Sequence, residues 1–237
     1  LHPDVLSATY LVLWSDQGNL LQSAEGIQFF DSLETLYIPY MAGTQLPPLP
    51  AGLKNLGIDH GLLTSLPMLP QGLVQLICKQ NDLTTLPDLP STLKELTCDN
   101  NTDLSALPAL PQALEILRCA YAQLTELPSL PPSLFLLECH GNALTSLPLL
   151  PPELNYLRCE YNSLSTLPTL PPGLATIYCH HNPITTLPEL PVGLNFLSCG
   201  NTSLTPLPAL NDSLQILSCF DKALTVLPAL PAGLTFL

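Results

Sequence analysis

A twenty-residue period governs the chain from Leu46 onward and leaves few folds open to it. Residues 66–85 read LPMLPQGLVQLICKQNDLTT, and residues 147–166 read LPLLPPELNYLRCEYNSLST. The shared unit is LPxLPxxLxxLxCxxNxLTx. It begins at Leu46, Leu66, Leu86, Leu107, Leu127, Leu147, Leu167, Leu187, Leu207 and Leu227. Residues 86–106 hold one extra residue, because Thr102 and Asp103 stand where other units have one. Leu33, Leu36 and Ile38 match the LxxLxC positions in a degenerate unit upstream. One unit cannot bury its own leucines, so stacked neighbours must bury them jointly.

Each unit predicts one turn of a coil. LxxLxC alternates as a strand does, with Leu76 and Cys78 inward and Ile77 outward. Strands of successive units then stack in parallel at roughly 4.8 Å. The LPxLPxx half cannot form a helix interior, since proline lacks a donor and bars the helical region to its predecessor. It reads as an extended, polyproline-like return path. A hydroxyl column, from Thr64 and Thr84 to Thr205 and Thr225, stands where the chain bends out of the strand. An asparagine column holds Asn81, Asn101, Asn142, Asn162 and Asn182, whose amides suit the backbone groups of the turn. Gly61, Ala122, Thr202 and Lys222 break that column, which predicts looser turns there.

The high proline content, 27 residues, therefore signals a periodic array rather than disorder. Mean hydropathy is positive, yet prolines interrupt every apolar run well short of the ~18 residues a membrane helix needs. A net charge of −13 with six basic side chains disfavours nucleic acid and anionic membrane surfaces as partners.

LxxLxCxxNxL resembles the conserved segment of leucine-rich repeats, with cysteine in a usual aliphatic position. LPxLPxxL resembles the short bacterial class of these repeats. That class occurs in effector proteins of Gram-negative pathogens that carry a ubiquitin-ligase domain, and in secreted or surface proteins of Bacteroidetes-type bacteria. GIQFFDSLETL, residues 26–36, is similar to the opening unit of the second group. The resemblance covers residues 26–237. It implies a leucine-rich-repeat solenoid of ten to eleven coils with a parallel concave sheet. Residues 1–25 stand apart as a non-repeat segment, whose stretch ATYLVLWSDQGNLLQ, Trp14 included, is expected to cover the first coil as a short strand or helix. The repeat stops at Leu237 in mid-strand, and an uncapped edge there predicts either a missing continuation or pairing with another chain, with a two-fold homodimer as the favoured form of pairing.

All eight cysteines, Cys78, Cys98, Cys119, Cys139, Cys159, Cys179, Cys199 and Cys219, share one inward column. An even count invites a disulfide framework. The register favours a ladder of free, buried thiols instead. In-register parallel side chains do not readily take the ~90° disulfide torsion. A linear ladder also lacks the three or four converging ligands that a metal needs.

With the inward columns fixed, the outward strand positions form the candidate binding face. Lys54, Lys79, Lys94, Arg118 and Arg158 lie there, as do Tyr121, Tyr156, Tyr161, Tyr178, Phe196 and Phe220. Aromatics and arginine are enriched in interface hot spots. The patch from Arg118 to His181, with Glu138, His140, Glu160 and His180 inside it and Phe196 beside it, is the predicted partner site. The alternative is a solvated sheet face, with Arg118, Glu138 and Arg158 as a cross-strand ion ladder of little energetic weight. His140 and His180 fall two coils apart, ~9.6 Å, too far to share an ion directly.

There is no Gly-rich phosphate loop, HExxH or GxSxG. The expectation is a non-enzymatic, cofactor-free module that binds a protein, a host protein among the candidates, and belongs to a secreted or surface protein. Two other readings stay open: the recognition region of an effector ubiquitin ligase, and a structural surface protein.

Overall fold

The computed structural model describes residues 7–14, 21–220 and 226–236. These fall into two compact units, Leu1–Gln123 and Leu124–Leu237. The first unit holds β1 (Tyr10–Val12), β2 (Thr35–Tyr37), β3 (Asn55–Gly57), β4 (Gln75–Ile77), β5 (Glu95–Thr97) and β6 (Ile116–Arg118). The second holds β7 (Leu136–Glu138), β8 (Tyr156–Arg158), β9 (Thr176–Tyr178), β10 (Phe196–Ser198) and β11 (Ile216–Ser218). Within each unit the strands pair in parallel, in chain order, with the repeat's own register. Leu56 meets Leu76 and Leu76 meets Leu96 in the first unit; Leu157 meets Ile177 in the second.

Each strand is three residues long because three residues separate two bends that the repeat encodes. The entry bend is a turn in which the leucine N–H donates to the proline carbonyl three residues back. Leu73 to Pro70 and Leu154 to Pro151, both 3.1 Å, are examples. Proline serves well here: it contributes a carbonyl, and its missing N–H is never needed. The return path is extended, and helix among the described residues is limited to the 3₁₀ turn Ile27–Phe29. No helix among them is long and apolar enough to cross a membrane.

The exit bend uses a left-handed residue two positions after the cysteine column. Tyr40, His60, Gln80, Asn100, Tyr121, Tyr161, His181 and Asn201 have φ between +49° and +58°, and Gly141 has +66°. The left-handed form costs an ordinary residue roughly 1–2 kcal/mol. The coil recovers a hydrogen bond at each such step. Gln80 N–H donates to Asp99 O at 2.9 Å, and Tyr161 N–H to His180 O at 3.1 Å.

The asparagine column then ties each bend to its neighbour. Asn101 Nδ2 donates to Cys78 O at 3.0 Å and to Cys98 O at 2.8 Å, and its Oδ1 accepts from Leu83 N–H at 3.1 Å. Asn162 repeats this with Cys139 O, Cys159 O and Leu144 N–H, all at 3.0 Å. Where Thr202 replaces asparagine the bend is not bare: its hydroxyl donates to Cys199 O at 2.9 Å. Gly61 leaves room for the next coil, since a Cβ there would stand 2.7 Å from Asn81 Oδ1. In the hydroxyl column, Thr64 Oγ1 donates to Thr44 O at 3.3 Å, and Thr225 lies outside the described residues, as does Lys222 of the asparagine column.

The inward leucines, such as Leu36, Leu76, Leu117, Leu157 and Leu197, are fully buried, and so are Cys78, Cys98, Cys119, Cys139, Cys159, Cys179 and Cys199. None of the eight cysteines is joined in a disulfide. Burial pushes the Cys98, Cys159 and Cys179 thiols well above the usual range, so they are poor nucleophiles. Cys219 departs from the expected column by being half-buried. No complete coil among the described residues follows to cover it.

Ahead of the repeat, β1 pairs with β2, and Leu21 bridges Met41. The segment meets the first coil as a short strand, although Trp14 itself is 77% exposed. Short apolar residues do that work: Leu11 lies opposite Leu36, and Leu21 opposite Met41.

Candidate functional site

The outward side chains of the second unit form one connected cluster. Arg158, on β8, is its hub. Its Nε donates to Glu160 Oε1 at 2.9 Å, and a terminal guanidinium nitrogen donates to the same oxygen. Its other terminal nitrogen is 4.0 Å from Glu138 Oε1 on β7. The guanidinium also sits 5.1 Å from the centre of the Tyr178 ring on β9, a cation–π distance. Tyr178 in turn lies 4.5 Å from Phe196 on β10 and 6.1 Å from Tyr156 on β8. These contacts run from coil to coil, because parallel strands place the same repeat position one above another.

A second aromatic group stands at the exit bend. Tyr161 and His181, left-handed residues one coil apart, stack with centres 4.3 Å apart and planes 12° apart. His180 meets Tyr161 edge-on at 5.4 Å. Ser198 Oγ lies 3.0 Å from His180 Nδ1, and Asn201 Nδ2 lies 3.0 Å from His181 Nε2. The bend turns Tyr161 away from the sheet, leaving it 49% exposed.

Two predicted contact residues are not surface residues. Glu160 is 1% exposed and His140 is 7% exposed. Glu160 sits beneath its own salt bridge, and its Oε2 meets no donor among the described residues. Desolvation lowers the proton affinity of both His140 and His180, with Glu160 pulling the other way. Along the predicted row, Arg158 lies 4.0 Å from Glu138 across the strands, and it bonds Glu160 of its own coil more closely. Its short reach to position 160 is along one extended strand end, where alternate residues share a face.

In the first unit, Arg118 bonds Glu95 Oε1 at 3.1 Å, and Tyr121 is exposed at its left-handed bend. Lys54 pairs with Glu34, and Lys94 with Glu115, both at 2.7 Å. A feature that sequence reasoning missed lies at β2 and β3. Tyr37 hydroxyl donates to Asp59 Oδ2 at 3.0 Å, and its ring occupies the space beside Gly57. A Cβ at Gly57 would collide with that ring, which explains glycine in the middle of a sheet face. The signal was present as a glycine in a strand column next to a tyrosine of the degenerate unit. Desolvation, then Asp59, raises the Tyr37 hydroxyl to about 12. Gly200 in the second unit is the counterpart, with the Phe220 ring 3.0 Å from where its Cβ would stand.

Among the described residues, no three His, Cys, Asp or Glu side chains converge as metal ligands do. Nor does any cysteine reach the electropositive, partly exposed setting of a nucleophile. The arrangement offers contact area, ring faces and one internally bonded arginine, groups that are enriched at recognition surfaces.

No protein-family model matches the chain, and no curated protein matches it. Solved structures do. YopM of Yersinia pestis, a leucine-rich effector protein, is 34% identical with a TM-score of 0.87, over 93% of this chain and 64% of that one. YopM of Yersinia enterocolitica WA-314 is 30% identical with a TM-score of 0.75, over 95% of this chain and 59% of that one. The functional domain of InlJ from Listeria monocytogenes, which includes a cysteine ladder, is 24% identical with a TM-score of 0.63, over 92% and 59% of the two chains. The chain thus spans about six tenths of each of these structures. Parallel three-residue strands, extended returns and buried leucine and asparagine columns, together with these likenesses, make the fold a leucine-rich-repeat solenoid.

Proposed function

We propose that this chain is a non-enzymatic protein-binding module, part of a secreted or surface bacterial protein. The outward face of its second unit makes the contact. The observation that carries this reading is the linked aromatic cluster of Tyr156, Tyr178 and Phe196 around Arg158, with Tyr161 half-exposed beside it. Rigid rings and arginine at the centre of a face are what interface hot spots are made of. Likeness to a Yersinia effector supports both binding and export.

Glu160 and its salt bridge to Arg158 act below the contact surface. They hold Arg158 within 5.1 Å of the Tyr178 ring centre and leave ring faces, rather than a flexible cation, to meet the partner. The partner is a protein and, by the effector likeness, a host protein. The test is a comparative capture of proteins from host-cell extract. Wild-type chain and the Tyr161→Ala/Tyr178→Ala variant are immobilised in parallel. A protein retained by the first and lost from the second is the expected result. Identical retention by both contradicts the assignment of the face.

A further inference from the structure

We propose that the partner presents an aromatic side chain to the second unit, seated flat on the open face of Tyr161 where Gly141 leaves the column without a side chain. This rests on the reading that the face binds a protein, and adds the partner's chemistry to it.

The left-handed column is a ladder with one rung missing. Of its nine described residues, eight carry side chains and Gly141 does not. The backbone does not demand glycine at that bend. Tyr121 and Tyr161 hold the same conformation at φ +52° and +54°, close to the +66° of Gly141. Gly141 N–H donates to Glu160 O at 3.0 Å, so its coil lies directly beside that of Tyr161. One coil the other way, His181 stacks on Tyr161 with centres 4.3 Å apart and planes 12° apart. A ring has two faces, and His181 takes one of them. The coil on the other side offers a glycine, and Tyr161 is left 49% exposed.

The seat is flat and held from behind. Asn201 Nδ2 meets His181 Nε2 at 3.0 Å, and His180 braces Tyr161 edge-on at 5.4 Å. A ring already fixed in place loses little conformational freedom when a partner arrives. The seat is made of a ring face and glycine backbone rather than of ion pairs. A flat apolar ring gains stacking there and strands no charge of its own. A branched aliphatic side chain cannot lie flush on the ring, so it makes only part of the same contact.

The test is an NMR titration of the full chain with peptides Gly-Ser-Gly-X-Gly-Ser-Gly, in which X is tryptophan, leucine or arginine, and with methyl glucoside. The tryptophan peptide is expected to bind tighter than the leucine peptide by about fivefold or more, and to move the Tyr161 ring signals upfield as a second stacked ring does. Tyr161→Ala and Gly141→Tyr should each weaken it by about fivefold or more, the second by supplying the missing rung from within. His60→Ala removes an exposed ring of the same column in the first unit, and should change binding by less than about twofold. Equal binding of the leucine or arginine peptide overturns the aromatic partner, as does an equal shift of Tyr161 by methyl glucoside. Undiminished binding to Tyr161→Ala overturns the seat, whether or not Gly141→Tyr folds. If capture of a protein partner is lost in Tyr161→Ala/Tyr178→Ala yet kept in folded Gly141→Tyr, the ring seat is wrong and the binding face stands. If both variants keep capture, both readings are wrong.

Discussion

The two units have the same interior and different faces. Inside, Leu76 and Cys78 of the first are matched by Leu157 and Cys159 of the second, all buried. Outside, the first unit closes its charges in pairs: Lys54 with Glu34, Lys94 with Glu115, Arg118 with Glu95. Its ring over the sheet, Tyr37, is tied down by Asp59. The second unit gathers Tyr156, Tyr178 and Phe196 around one arginine and leaves Tyr161 and His181 facing outward. The repeat thus separates two tasks. Inward columns hold the coil, and outward columns are free to differ without disturbing it.

The largest expected effect tests the shared interior. Leu76→Ala and Leu157→Ala, one in each unit, should each lower stability by about 2–5 kcal/mol in denaturant unfolding, since both sites are fully buried. Unequal losses, large in one unit and negligible in the other, would break the claim of a common core. Next, Asn101→Ala removes three hydrogen bonds from a fully buried bend. It should cost about 2–3 kcal/mol, because the carbonyls of Cys78 and Cys98 and the Leu83 N–H lose partners out of reach of water.

A smaller effect separates the faces by pH. His140 and His180 hold protons less well folded than their ordinary value of 6.5, chiefly through desolvation. The unfolded chain therefore binds more protons in the window below about 6.5. Stability of the second unit should fall as pH drops through that window and level off below the lowered folded values. Thermal unfolding of the wild type and of His140→Gln/His180→Gln checks this. The variant should show the shallower dependence.

The smallest effect is spectroscopic and belongs to the first unit. Tyrosinate absorbance should show a late component near pH 12 that Tyr37→Phe removes and Asp59→Asn shifts downward. By linkage, a hydroxyl raised from 10 to about 12 stabilises the fold below pH 10, and that contribution is lost as pH rises through 12.

The interior was legible in the sequence because stacking permits one solution. A residue at Leu76 has a neighbour at plus and minus twenty that must also be apolar. The face was legible as a list of positions but not as contacts. Arg158 lies near Glu138 in its row and bonds Glu160 on its own strand end more closely, and side-chain torsions set that balance. That choice buried Glu160 and turned a predicted contact residue into a support. The left-handed column at Tyr121, Tyr161 and His181 was hidden for another reason. Those residue types carry no turn signal, and the conformation is enforced by the coil rather than by local preference.

The account stands most directly on one affinity comparison. The dissociation constant of the captured partner is measured for Tyr161→Ala/Tyr178→Ala in the second unit and Gln75→Ala/Lys79→Ala in the first. The account predicts a loss of about 30-fold or more for the first pair, as hot-spot truncation gives, and less than about twofold for the second, as for peripheral contacts. Equal effects, or a larger loss from the first unit, would contradict it.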